Sequence, residues 1–320
     1  MIAKLKFLMY TKKVEKSEIQ QNMKIKILSL LLLFFLICPD ISAGNGIGST
    51  AFQILTIPMN ASDASLSNTN IANLSSVTSN PAVIPFAPYM LVLTHAVHIE
   101  NTGYSAACFN VPVNKNSGIG VSVVYFDMGT LTRMSETGIE QGTFGANDKV
   151  ITLSYGLKFN ESFSAGISAK YLQQKIDDVS YSGYAGSLSG LYLISDTFYI
   201  GSGINNFGSK VNGFDLPTDF YLAVTGNVSE NSSVVAQFDS YFNDDINDLK
   251  LAAETKFENL RFRIGYRFPL VKNEVDDTTE FISNLTAGLG LNFDFLSVDY
   301  AWLPKGDVGT THMFTLVVKF

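Results

Sequence analysis

Apolar and polar residues alternate one for one in short runs along most of this 320-residue chain. Successive side chains of a strand point to opposite faces, so each run presents an apolar wall on one side and a polar wall on the other. Over 150–159, Ile151, Leu153, Tyr155, Leu157 and Phe159 share a face, and Thr152, Ser154, Gly156 and Lys158 share the other. Over 260–268 the two sets are Leu260, Phe262, Ile264, Tyr266 and Phe268 against Arg261, Arg263, Gly265 and Arg267. Over 285–295, Leu285, Ala287, Leu289, Leu291, Phe293 and Phe295 oppose Thr286, Gly288, Gly290, Asn292 and Asp294. The last ten residues set Phe314, Leu316, Val318 and Phe320 against Thr315 and Lys319.

Segments of this kind fall at about 91–99, 104–113, 118–127, 149–159, 163–176, 183–194, 198–207, 217–228, 233–242, 248–258, 260–269, 284–294, 296–302 and 311–320. Strands of about ten residues in an even number near fourteen are what a closed antiparallel membrane barrel requires, because an open edge leaves backbone polar groups unsatisfied in lipid. The fold class predicted is therefore all-β, a transmembrane antiparallel β-barrel over 91–320. Gly, Ser and Thr on the polar faces suit a crowded lumen, whereas the core of a soluble sandwich is filled by large apolar side chains. The segments 183–194 and 233–242 alternate poorly. Short turns such as 160–162 and 258–259 interchange with longer polar stretches at 128–148, 270–283 and 303–310, the asymmetry of periplasmic turns and extracellular loops. On this reading Leu289→Asp obstructs membrane assembly, and Gly290→Ser is tolerated better.

The final strand also resembles the C-terminal signal read by the barrel-assembly machinery, carried by Phe314, Leu316, Val318 and Phe320. Residues 44–90 differ from the rest: rich in Asn, Ser and Ala and without sustained alternation, they fit a lumen plug or a periplasmic segment rather than a lipid-facing wall. Asn80-Pro81-Ala82 within them reads as a tight turn.

The N-terminus changes the compartment. Lys24 and Lys26 precede an apolar run over 27–38, and Ile41-Ser42-Ala43 offers a small-residue cleavage site, the pattern of a secretory signal peptide over 23–43. Its apolar core is shorter than the roughly 20 residues a spanning helix needs. Residues 1–22 read as an upstream extension before a start at Met23. Cleavage after Ala43 removes seven Lys and three acidic residues from totals of 22 basic and 29 acidic, leaving 15 and 26 and a net charge of −11. So acidic a chain argues against nucleic acid as a partner, since phosphate binding relies on clustered Lys and Arg. Its expected surroundings are outer-membrane lipid and lipopolysaccharide. Cleavage also removes Cys38, and Cys108 is left without a disulfide partner.

Candidate chemistry is sparse. His95 and His98 lie three apart on a predicted strand, hence on opposite faces, and cannot jointly hold a metal. His312 reads as an interfacial histidine at the rim. Asp244, Asp245 and Asp248, and Glu274, Asp276, Asp277 and Glu280, lack the oxygen-ligand spacing of a defined calcium motif and read as solvated loops. No catalytic, metal or cofactor site is expected. Trp302 and Tyr300 fit an aromatic girdle. Arg261, Arg263 and Arg267 share an inward face and are expected to form a lumen ion-pair network with Asp294 or Asp299, because unpaired inward charges are costly.

Both ends of the chain resemble the PorV/PorQ outer-membrane proteins of the broader FadL-like group. Near the start the resemblance rests on Phe52, Leu55, Pro58, Ala61, Leu66 and Asn80-Pro81-Ala82. Near the end it rests on Tyr300-Ala301-Trp302, Pro304, Gly306-Asp307-Val308-Gly309 and Thr311-His312. Ser62 stands where that family usually has Arg, and Ser67-Asn68 replaces its glycine pair. The resemblance implies a fourteen-stranded barrel with an N-terminal plug. It further implies a part in type IX secretion, holding exported proteins at the outer membrane or serving a surface attachment complex. The alternative is FadL-like uptake of long-chain fatty acids or other hydrophobic small molecules. An apolar lumen pocket would discriminate; the inward sets legible in the strands are mainly Gly, Ser, Thr, Asn, Arg and Asp, which favours secretion.

Overall fold

The computed structural model describes residues 49–69, 79–97, 102–244, 246–270 and 277–320. The expected extension and signal peptide, and His98, Asp245, Glu274 and Asp276, lie outside the described residues. Fourteen strands close into one antiparallel barrel. They are β1 Met90–Val97, β2 Gly103–Asn114, β3 Ser117–Met134, β4 Glu140–Lys158, β5 Phe163–Ile176, β6 Val179–Ser195, β7 Phe198–Gly208, β8 Asp219–Asn227, β9 Ser232–Tyr241, β10 Ile246–Phe257, β11 Leu260–Pro269, β12 Leu285–Asn292, β13 Leu296–Pro304 and β14 Thr310–Lys319. Each pairs with its sequence neighbours, and β14 returns to β1 with Met90 opposite Lys319 and Val97 opposite His312, so no edge is left open.

The alternation seen in the sequence maps onto the two walls. Phe314, Leu316 and Phe320 are exposed on the outer wall, while Thr311, Met313, Thr315 and Val317 between them are buried. Leu260, Phe262, Ile264 and Phe268 are likewise exposed, with Arg263 and Gly265 buried. The chain end is stitched on both sides: the Phe320 amide donates to the Tyr89 carbonyl at 3.0 Å and the Lys319 amide to the Phe295 carbonyl at 2.8 Å. Among the described residues no helix is long and apolar enough to cross a membrane.

Both poorly alternating segments are strands, and β6 shows why its pattern was weak. Gly186 sits on the outer wall beneath Phe207, its ladder partner on β7; a Cβ there would lie 2.7 Å from that ring. The apolar cover is supplied by the neighbouring strand, so the strand's own sequence does not show it.

The stretch 128–148, expected as a loop, is instead the outer end of a long hairpin. β3 and β4 run to 18 and 19 residues and meet at a turn in which the Ser135 amide donates to the Ile139 carbonyl at 2.8 Å. Beyond the length that spans a bilayer, both faces of a hairpin meet water, so neither needs an apolar set and the alternation fades. Arg133 at its edge pairs with Asp177 at 2.5 Å and lies over the Phe144 ring at 5.8 Å. The expected loop 270–283 also carries structure, the helix α2 of Asp277–Asn284, named after the earlier α1 of Ala61–Ser65.

The segment before β1 lies on the inward side of the wall. It holds a 3-10 turn at Gln53–Thr56, then α1, then a second 3-10 stretch at Pro81–Phe86. α1 is capped by Asn60, whose side chain accepts from the Asp63 amide at 2.8 Å. All five of its residues are buried.

Candidate functional site

Small inward residues explain how an irregular segment fits inside. Gly156 and Gly166 are ladder partners, and a Cβ on either would come within 2.5 Å of Pro81 or Ala82 backbone atoms. The Asn80-Pro81-Ala82 turn is fixed there by Ser164 Oγ donating to the Ala82 carbonyl at 2.8 Å, and by Ser189 Oγ accepting from the Ala82 amide at 3.1 Å. On another part of the wall Gly265 leaves room for Leu66 and Ser67, where a Cβ would stand 2.6 Å from Ser67 Oγ. Thr286 Oγ1 hydrogen-bonds Ser67 Oγ at 3.0 Å, and Thr315 Oγ1 accepts from the Ala61 amide at 2.8 Å. The glycines replace side-chain bulk with backbone contact.

The arginines take the inward positions of β11. Arg263, buried, donates from Nε to Glu254 at 2.6 Å and from Nη1 to Asp299 at 2.6 Å. Arg261 lies 3.7 Å from Glu254, and Arg267 lies 3.7 Å from Asp248. Asp299 is the partner; Asp294 is not. Asp294 falls in the turn between β12 and β13, exposed, because the strand ends at Asn292 and its inward alternation ends with it. The acidic residues expected as solvated loops are also corrected. Asp244 is buried and accepts from Thr50 Oγ1 at 2.9 Å, and Asp248 is an inward residue of β10. His312 sits on the outer wall, its Nδ1 2.9 Å from the Tyr300 hydroxyl, and His95 lies there as well, 3.1 Å from Ser105 Oγ. Cys108 is a buried free cysteine.

Between the inward segment and the wall lies a cavity of about 80 Å³. Ile54, Leu55, Ile57 and Met59 from the segment give it an apolar side, continued by Val124 and Val150 on β3 and β4. Lys170, Asn205, Asn206, Asp219 and Asp239 from β5, β7, β8 and β9 give it a polar side. Asn206 is aimed inward by a bulge. The β6–β7 ladder skips from Gly186–Phe207 to Leu188–Ile204, and Asn206 takes up the extra residue at φ 56°, a left-handed conformation that asparagine tolerates better than most. Its Oδ1 accepts from Lys170 Nζ at 2.6 Å, and its Nδ2 lies 3.5 Å from Asp219. Asp219 also accepts from Asn205 at 3.1 Å, and Asp239 pairs with Lys250 at 2.7 Å. None of these cavity residues was a candidate from the sequence. Ile54 and Leu55 sit in a 3-10 turn and Ile57 and Met59 follow it, with no strand period, and Asn206 depends on a bulge that shifts register.

No family pattern matches this chain, and no curated protein matches it in sequence. Solved structures share its fold. The Ralstonia pickettii toluene transporter TbuX superposes at a TM-score of 0.59 with 11% identity, covering 84% of this chain and 100% of its own. The Pseudomonas putida toluene transporter TodX gives 0.56 and 12%, over 88% of this chain and 98% of its own. A Pseudomonas aeruginosa FadL homologue gives 0.56 and 11%, over 82% and 98%. The fold is thus that of FadL-like barrels, a kind resembling bacterial outer-membrane proteins.

Proposed function

We propose that this protein is an outer-membrane channel for small hydrophobic molecules, with the inward N-terminal segment as its plug. The observation that carries the reading is the cavity's apolar side, built by Ile54, Leu55, Ile57 and Met59 of that segment. Strand faces alone gave a polar lumen and favoured secretion; the segment adds the apolar surface that a hydrophobic solute needs. The neighbours described as toluene transporters share the whole barrel architecture with this chain, which supports the same reading. Passage requires binding that is weak and local, and a small cavity of mixed character provides that better than a deep apolar pocket.

A PorV/PorQ-type role in holding exported proteins is the second reading. It is favoured by the outer end of the β3–β4 hairpin, where Leu131, Met134 and Ile139 are exposed beyond the spanning length of the strands. Native mass spectrometry of the protein extracted gently from its own membrane separates the two. A bound apolar small molecule in an otherwise solitary barrel is the expected result. Co-purifying exported proteins with no small ligand would replace the channel reading with the secretion one.

A further inference from the structure

The cavity holds more polar capacity than its own contacts consume. Lys170 reaches the cavity with an ammonium that donates to the neutral Asn206 amide, and among the described residues no carboxylate lies within 4.0 Å of it. Asp219 is buried beside the same amide and accepts from Asn205, with no cation within that distance among the described residues. One asparagine therefore stands between a cation and an anion that face a common space and do not pair with each other. Ser122, on β3, lines the same cavity; it is buried, and its hydroxyl makes no hydrogen bond among the described residues. A buried donor or acceptor left unmade is costly, and polar groups collected in one cavity mark where a ligand's polar atoms go.

Resting on the channel reading above, we infer that the cavity selects small apolar molecules that carry a hydroxyl group. A hydroxyl is both donor and acceptor. Placed beside Asn206, it donates to the Asp219 carboxylate and accepts from the Lys170 ammonium, while the carbon body lies on Ile54, Leu55 and Met59. An amine or a carboxylate satisfies one of the two charges and opposes the other; a hydrocarbon leaves each with its asparagine contacts alone. The size agrees with recognition of one end of a molecule: about 80 Å³ is roughly half the ~150 Å³ of a dry cavity that takes up benzene. The cavity thus holds a functional group and its first carbons, with the remainder extending along the lumen.

Phenol and toluene, nearly equal in size, test this by calorimetric titration of the detergent-solubilised full barrel, with micelle partitioning subtracted. Phenol is expected to bind at least about tenfold more tightly than toluene, the ratio one well-placed charge-assisted hydrogen bond supplies. Lys170→Met, checked for its folded gel mobility, is expected to reduce that ratio below about threefold. If Lys170→Met does not assemble, Asp219→Asn is read in its place. Toluene binding as tightly as phenol overturns the inference and leaves the hydrophobic-channel reading intact. Binding of neither overturns both, and a tenfold ratio that the variants leave unchanged overturns the assignment to this cavity.

Discussion

Gly156 and Gly166 face each other across the β4–β5 ladder, and Pro81 of the inward segment rests on the pair. Two missing side chains on the wall thus set the position of a turn more than seventy residues earlier in the chain. Gly166→Val fills that space and forces backbone to move, at a cost of about 1–3 kcal/mol. The expected variant still forms a barrel of folded gel mobility, but its N-terminal segment becomes sensitive to protease and its single-channel conductance rises. Wild-type protection and conductance would show that the glycine pair does not hold the segment.

Arg263 is the hub of a buried ion group with Glu254 and Asp299. Arg263→Met leaves Asp299 without a cation among the described residues and Glu254 with Arg261 alone at 3.7 Å, and the expected loss of stability is about 3–5 kcal/mol, read as a lower urea midpoint. Adding Glu254→Gln and Asp299→Asn removes the stranded charges and is expected to recover most of that loss. A triple variant as unstable as the single one would assign the loss to packing rather than charge.

Leu289 and its neighbour Gly290 point to opposite walls. Leu289 is half-exposed on the outer wall, and Leu289→Arg is expected to cost about 2–4 kcal/mol if that wall meets the bilayer centre. The sequence suggested that Gly290→Ser is tolerated better than Leu289→Asp; the structure shows that the serine still carries a cost of its own. A Cβ at Gly290 would lie 2.5 Å from Asp299 Oδ1 and 3.1 Å from Arg263 Nη1, so the serine presses on the buried ion group. Folding yield in liposomes should fall for both variants, and a Gly290→Ser yield equal to wild type would show that the ion group gives way to the side chain without cost.

Phe320 closes the last strand from the outer wall while its amide holds Tyr89. Phe320→Ser is expected to lower the amount of barrel recovered from the outer membrane several-fold while leaving refolding in detergent nearly unchanged. Equal losses in both assays would make the aromatic a stability element rather than an assembly signal.

How much of this was legible in the sequence follows from where each side chain's partner comes from. Strands such as β11 and β14 carry their own two walls, so alternation alone places Arg263 inward and Phe314 outward. Where a neighbour supplies the cover, as Phe207 does for Gly186, the period fades, although the strand is present. The outer half of the β3–β4 hairpin was hidden because water on both faces imposes no alternation. Asp294 was misplaced by extending β12 two residues past its end at Asn292. The cavity was beyond sequence reasoning: Ile54 and Met59 lie in irregular chain, and Asn206 reaches the lumen only through a bulge. The ladder of small inward residues was visible, but its meaning, backbone docking at Pro81 and Ser67, arises from contacts between segments far apart in the chain.

A channel for small hydrophobic molecules has to raise the uptake of an apolar solute. Cells lacking their own hydrophobic-solute channels, and expressing this protein, are exposed to radiolabelled toluene, with Val124→Trp as the comparison. Val124 is buried and lines the cavity from β3, so a tryptophan there fills it without touching the outer wall. Wild type is expected to raise the initial uptake rate several-fold over empty cells, and Val124→Trp, assembled to the same level, to return it to background. Equal uptake with wild type, Val124→Trp and no channel at all would contradict the channel reading.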